Sequence, residues 1–266
     1  MPSRVLQFLS GGSGRDAAAC RGWMEDLLGL AYPNRCQICG EEAASAWEGY
    51  VGLRCRRAVR PIRPPYCARC GLPFPSGITQ EFTCANCADL GLAFESARAA
   101  AVATGVTLEV IHRFKYGRAL WFEPFLSDLL LTAAVPALEG GGWTHVVPVP
   151  LHAARERHRE FNQAGRLARP LAGALGLTFE PGLVRRVAPT LTQTHLSRTE
   201  RSRNVIRAFR PAGNRRLSGA SVVVVDDVLT TGATASAVAR VLRRLGARRV
   251  CVWSVARAIR NEPPLA

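Results

Sequence analysis

The sequence predicts an α/β protein, a parallel sheet flanked by helices, with a small cysteine-rich module on its N-terminal side. Three observations lead there. Residues 222–225 are four consecutive valines, followed by Asp226-Asp227, a small hydroxyl-rich loop and a stretch of helical periodicity. A short, β-branched, wholly apolar run is the pattern of a strand buried on both faces of a parallel sheet. A second such run, WTHVVPVP over 143–150, also leads into a helical pattern. Finally, seven of the nine cysteines fall between 36 and 87, most of them in C-x-x-C pairs.

The whole chain sets bounds on this reading. Its 266 residues suffice for one sizeable domain and a small one, and 48% hydrophobic content excludes global disorder. No apolar run approaches the ~20 residues that span a bilayer, so no transmembrane segment is expected. The N-terminal VLQFLS segment is too soon broken by GGSG to read as a secretory signal. A cytoplasmic protein is therefore expected, and in that compartment paired cysteines read as metal ligands rather than disulfides. The net charge is +15, carried almost wholly by arginine, with Lys115 the sole lysine. Such a charge favours polyanionic partners: phosphate ligands, nucleic acid or an anionic membrane surface.

In chain order, residues 1–32 read as a mobile tail with a short amphipathic helix around Trp23, Leu27 and Leu30, ended near Pro33. Residues 33–92 form the cysteine-rich region. Cys67, Cys70, Cys84 and Cys87 supply four thiolates from two knuckles, the ligand set of a closed, structural Zn²⁺ site. Cys36, Cys39 and Cys55 suggest a second site. Ala58 stands where its fourth thiol would fall, and no histidine lies between 36 and 87. The fourth ligand then comes from elsewhere in the chain or from water, or the site has decayed. Cys251, in RVCVWSV, reads as a core residue.

Residues 93–266 form the α/β domain. A strand is expected over 97–103 and a helix over 106–114, followed by Lys115-Tyr116-Gly117-Arg118. Another helix is expected over 120–134, then the 143–150 strand. Leu151, His152, Arg155 and Arg159 open a helix that continues through Leu167, Leu171 and Leu175 to Gly176. Residues 183–216 carry nine arginines and few core residues. That composition fits a mobile lid, a groove for a nucleic-acid backbone or a solvated basic loop.

The chemistry concentrates after the valines. Backbone N–H groups of Thr230, Thr231, Gly232, Ala233 and Thr234 and of the first helical turn converge on one point, which suits an anion. Ionised Asp226 and Asp227 only accept hydrogen bonds. A ligand with a phosphate at one end and a vicinal diol nearby satisfies both sets, and a ribose 5-phosphate fits that description.

This stretch resembles the phosphoribosyl-diphosphate (PRPP) motif of type I phosphoribosyltransferases. With Cys36/Cys39, Cys67/Cys70, Cys84/Cys87, Lys115-Tyr116, Pro148-Val149-Pro150-Leu151, Arg159 with Phe161-Asn162-Gln163, Gln193, and Arg201 with Asn204-Val205, the pattern resembles the ComF family over about 24–258. The resemblance implies a type I phosphoribosyltransferase-like domain behind a zinc ribbon. It implies that Asp226 and Asp227 are the catalytic pair holding the ribose hydroxyls, and that 230–234 holds the 5-phosphate. It further implies that 148–152 hold the diphosphate, that Lys115 and Arg159 are among the ligand contacts, that Mg²⁺ accompanies PRPP, and that 185–205 closes over the ligand. A role in natural competence is also implied, with single-stranded DNA and DNA-transport proteins at the inner membrane as partners. The alternative is an active phosphoribosyltransferase with an unidentified acceptor and no DNA role. One departure stands out: Glu160 replaces the glycine usual before Phe-Asn-Gln, placing a negative charge near a diphosphate loop.

Overall fold

The computed structural model describes residues 34–74, 82–88, 91–188 and 207–259. The expected tail and helix over 1–32 lie outside the described residues. So do Gln193, Arg201, Asn204, Val205 and most of the expected lid.

Five strands form one parallel sheet: β1 (Ser96–Val102), β2 (His145–Pro148), β3 (Thr178–Phe179), β6 (Ser221–Leu229) and β7 (Arg249–Arg257). Their spatial order is β1-β7-β6-β2-β3. β4 (Val184–Arg186) and β5 (Phe209–Pro211) make a separate antiparallel ribbon. The helices are α1 (Leu53–Arg57), α2 (Ala85–Ala88), α3 (Gly105–Tyr116), α4 (Glu123–Leu138), α5 (Ala153–Arg159), α6 (Gln163–Leu175) and α7 (Ala233–Arg244).

The valines explain the layering. Successive strand residues point to opposite faces. Val222 and Val224 enter the core under α7, while Val223 and Val225 enter the core under α4 and α6, and all four are fully buried. Cys251, on the neighbouring β7, is also buried.

The structure departs from the sequence reading in several places. β6 does not stop before the acid pair: Asp226 pairs in register with Ser254, and Leu229 with Arg257. α3 extends through Lys115 and Tyr116, so both belong to its last turn. The strand expected over 143–150 is ordered as β2 only over His145–Pro148, since the prolines after Val147 withdraw ladder donors. The single helix expected after Leu151 is two. Glu160 in the left-handed region (φ 68°) ends α5, and Asn162 starts α6 by accepting from Ala164 N and Gly165 N. Within the basic 183–216 segment, Val184–Arg186 and Phe209–Pro211 are strand rather than loop, and Leu183, Val184, Ala208 and Phe209 are buried against α7.

The segment Leu120–Leu138, which includes α4, is long and apolar enough to cross a membrane by length and composition. Here Phe125, Leu126, Leu130, Ala134 and Leu138 are buried in the protein core.

The cysteine-rich region straddles the sheet. Cys67, Cys70, Cys84 and Cys87 join the core on the α7 face, and Cys36, Val51 and Cys55 join the core on the α4 face. Between them the chain crosses the outer edge of β1, where Ile62 N donates to Ala100 O (3.0 Å) and Val102 N to Arg60 O (2.8 Å). This pairing covers an edge that would otherwise present open backbone groups.

Candidate functional site

The carboxyl ends of β6 and β2 lie side by side, with Pro148 in register with Val225, and Val149 N donates to Val225 O at 2.9 Å. Ligands of open parallel sheets bind outside such strand ends. The pleat sends the two acids to opposite sides. Asp227 shares a face with Val225 and is buried at 4% exposure; Asp226 shares a face with Val224 and keeps an exposed edge.

Asp227 meets Lys115 from the last turn of α3, with Lys115 Nζ 2.8 Å from Asp227 Oδ1 and both side chains largely buried. Val228 N also donates to Asp227 Oδ1, at 2.6 Å. Asp227 Oδ2 is buried and has no hydrogen-bond partner among the described residues. A buried carboxylate oxygen without a partner is costly, so a site that leaves one open is suited to a hydroxyl donor or a cation. Asp226 Oδ1 accepts from Asp227 N at 2.9 Å. Burial first, and then the neighbouring Asp227, push the Asp226 carboxyl up to about 8, against the pull of Lys115.

On the Asp226 side, Thr230 and Thr231 are exposed, and Gly232 (φ 78°) turns the chain into α7. The left-handed φ favours glycine, and a Cβ there would press against the Phe94 ring at 3.3 Å. Ala233 N reaches Thr231 Oγ1 at 3.4 Å, and Ala233 and Thr234 open the first turn of α7. This is the helix N-terminus that the sequence reading assigned to a phosphate.

Beside β6, Val149 and Pro150 are buried, and Leu151 and His152 are half-exposed. Pro148 and Pro150 have no N–H, so the free backbone donors of this loop come from Leu151 onward. Asn162 holds the loop by donating from Nδ2 to Val149 O at 3.1 Å. Arg159 lies over the Tyr116 ring at 4.8 Å, linking α5 to the end of α3. Glu160 pairs with Arg118 (2.8 Å) in solvent, so its charge is taken up there. Arg186 of β4 is held below the usual guanidinium range by burial and then by Arg155, opposed by Asp226. Arg186 is thus close enough to feel both Arg155 of α5 and Asp226, which its place in a long basic stretch did not reveal.

The four sulfurs of Cys67, Cys70, Cys84 and Cys87 lie within 4.8 Å of one another and are buried, which fits one tetrahedral metal ion. Burial raises the Cys67 thiol, but backbone N–H groups of Cys84 and Cys70 outweigh it and bring Cys67 down to about 7. Cys36, Cys39 and Cys55 also converge, together with Glu42.

Arg257 joins the cysteine cluster to the 230–234 loop, a link that no sequence pattern marks. Arg257, at the end of β7 and 5% exposed, donates from Nη1 to Leu229 O (3.1 Å) and Thr230 O, and from Nη2 to Cys70 Sγ (3.5 Å).

The "Double zinc ribbon domain" profile matches residues 27–88. The DNA utilization protein YhgH of Salmonella typhimurium is 33% identical over 233 residues, covering 86% of this chain and all of that protein. Competence protein F of Haemophilus influenzae is 32% identical over 216 residues, covering 77% of this chain and 89% of that one. The chain belongs to the competence protein F family. The zinc ribbon and helix-flanked parallel sheet expected of a ComF protein are both present. Among solved structures, an adenine phosphoribosyltransferase matches over 53% of this chain and 75% of its own, at 21% identity and a TM-score of 0.36. A Staphylococcus aureus hypoxanthine phosphoribosyltransferase matches over 53% and 73%, at 12% identity and a TM-score of 0.33.

Proposed function

We propose that this ComF protein binds PRPP or ribose 5-phosphate together with Mg²⁺ at the ends of β6 and β2, and that it acts in the handling of imported single-stranded DNA. The observation that carries the ligand reading is Asp227 Oδ2, a buried carboxylate oxygen without a partner among the described residues, near a glycine-turned helix N-terminus. Asp226 and Asp227 accept the ribose hydroxyls, Thr230 to Thr234 take the 5-phosphate, and 148–152 with Arg159 face the diphosphate. The hard carboxylate oxygens of Asp226 and Asp227 would suit Mg²⁺, which would supply charge neutralisation for the phosphate groups when bound. The DNA role rests on the names of the relatives and on the +15 charge.

Calorimetric titration of PRPP tests the ligand reading. A magnesium-dependent heat is expected in the wild type and is expected to vanish in Asp227→Asn. Equal heats in both proteins, or none in either, would reject it. Incubation with labelled PRPP and candidate acceptors separates a binder from a transferase, since only the latter releases diphosphate. For DNA, single-stranded affinity should fall steeply with salt and weaken when Arg198, Arg201 and Arg203 are replaced together. A flat salt dependence would count against a phosphate-tracking surface.

A further inference from the structure

We propose that the first half of the zinc ribbon holds its own metal ion in a site of three thiolates and one carboxylate, with Glu42 as the fourth ligand beside Cys36, Cys39 and Cys55. The proposal rests on the zinc-ribbon reading and concerns a ligand that the cysteine spacing alone does not supply.

The two halves of the ribbon are built alike. Cys36 N donates to Glu42 O (2.8 Å) and Gly40 N to Cys36 O (2.8 Å); Cys67 N donates to Leu72 O (2.9 Å) and Gly71 N to Cys67 O (2.9 Å). Gly40 and Gly71 are both left-handed, at φ 73° and 66°. Isolated antiparallel bridges close each knuckle, Arg35 to Ala43 and Tyr66 to Pro73. The first C-x-x-C-G is therefore folded as the same kind of metal knuckle as the second.

The halves differ in how they complete the set. The second uses Cys84 and Cys87, three residues apart. In the first, α1 brings in Cys55, and the residue three further on is Ala58, which has no donor. The carboxylate of Glu42 occupies the gap. A carboxylate oxygen of Glu42 and the sulfurs of Cys36, Cys39 and Cys55 lie within 4.8 Å of one another, as do the four sulfurs of the other cluster. Cys39 Sγ is 3.8 Å from Glu42 Oε1.

The surroundings hold the carboxylate in that position. Arg54 N donates to Oε2 at 2.8 Å and Cys55 N to Oε1 at 3.1 Å, an outer shell of the kind that orients a ligating carboxylate. Gly52 leaves room for it, because a Cβ there would lie 2.2 to 2.5 Å from Glu42 side-chain atoms. Capping of α1 alone would account for the two N–H contacts. It would not account for three sulfurs gathered around the same carboxylate in a repeat of the neighbouring metal knuckle. Three soft donors and one oxygen, all from protein, suit Zn²⁺ in a closed site.

The test uses the full chain purified with zinc. Metal analysis should find two zinc ions per chain in the wild type, one in Glu42→Ala and two in Glu42→Cys. Zinc X-ray absorption should find seven sulfurs and one oxygen shared by two ions in the wild type, and an all-sulfur shell in Glu42→Cys. One zinc per wild-type chain would overturn the proposal. So would two zinc ions retained in Glu42→Ala, or an oxygen that persists in Glu42→Cys and is therefore water. An all-sulfur wild-type shell, with Cys20 as the eighth thiolate, would also overturn it, and that result is read on wild type alone should Glu42→Ala fail to fold.

Discussion

Arg257 donates to the sulfur of Cys70 and to the carbonyls of Leu229 and Thr230 from one buried guanidinium. A zinc-bound thiolate cluster carries net negative charge, and an arginine offers it a fixed fork of donors. The same fork holds the end of β6 at Leu229 and the start of the 230–234 loop at Thr230. The cysteine cluster and the 230–234 loop therefore share one connector.

Replacing Arg257 by methionine should weaken both ends at once. Buried carbonyls and a thiolate lose their donors, which costs on the order of 2–4 kcal/mol of stability. PRPP affinity should drop, and a chelator should strip zinc faster. By linkage, bound ligand should slow zinc loss in wild type, and this protection should disappear in the variant. Zinc release followed with a chromophoric chelator, with and without ligand, checks it.

Lys115→Met should destabilise the fold by about 3 kcal/mol, since it leaves the Asp227 carboxylate buried without its counter-charge. Lys115→Met with Asp227→Asn should recover most of that loss, because the partners then fail together. Urea midpoints of the two singles and the double give the coupling directly. Additive losses would mean that the pair does not interact.

The raised Asp226 carboxyl gives the ligand-free protein a defined pH response. The unfolded side chain ionises near its ordinary 3.8, whereas the folded one holds its proton to about 8. Across that window the native state binds more protons, so this contribution is full at the acid end and declines as pH rises to about 8. Asp226→Asn should flatten the slope between about pH 6 and 8 relative to wild type. Magnesium-dependent PRPP binding should strengthen over the same interval, as the carboxyl loses its proton. Denaturation midpoints and calorimetry at a series of pH values measure the two trends.

Glu160→Gly should stabilise the chain by about 0.5–1 kcal/mol, by relieving a left-handed backbone that a side chain strains. The Arg118 pair that it breaks is solvent-exposed and worth little. A rise in thermal midpoint without loss of PRPP affinity is the expected result.

What the sequence disclosed was local. The valines of 222–225, the acid pair, the Thr-Gly loop and the knuckle cysteines each announce themselves within a few residues. Strand ends and helix breaks were less legible: continued pairing with β7 carries β6 through the acids, and the backbone at Glu160 and Asn162 splits one expected helix into two. Least legible were contacts made across the chain. Arg257 touches a cysteine 187 positions away, and an arginine in an Arg-rich sequence carries no mark of that. Lys115 stood out as the sole lysine, but periodicity does not show that it would meet Asp227. Glu42 lies outside any C-x-x-C spacing, and only the fold sets it among the sulfurs.

The pairing of Lys115 with Asp227 also offers a chemical handle. An amine-selective acylating reagent finds only two kinds of target here, the chain's terminal amine and this side chain. Held against a carboxylate and largely shielded, the ε-amine should acylate slowly while the site is closed upon itself. Anything that draws Asp227 away from it should quicken the reaction. A single added mass on one peptide would then record, molecule by molecule, how the acid pair is engaged, with no label engineered into the chain.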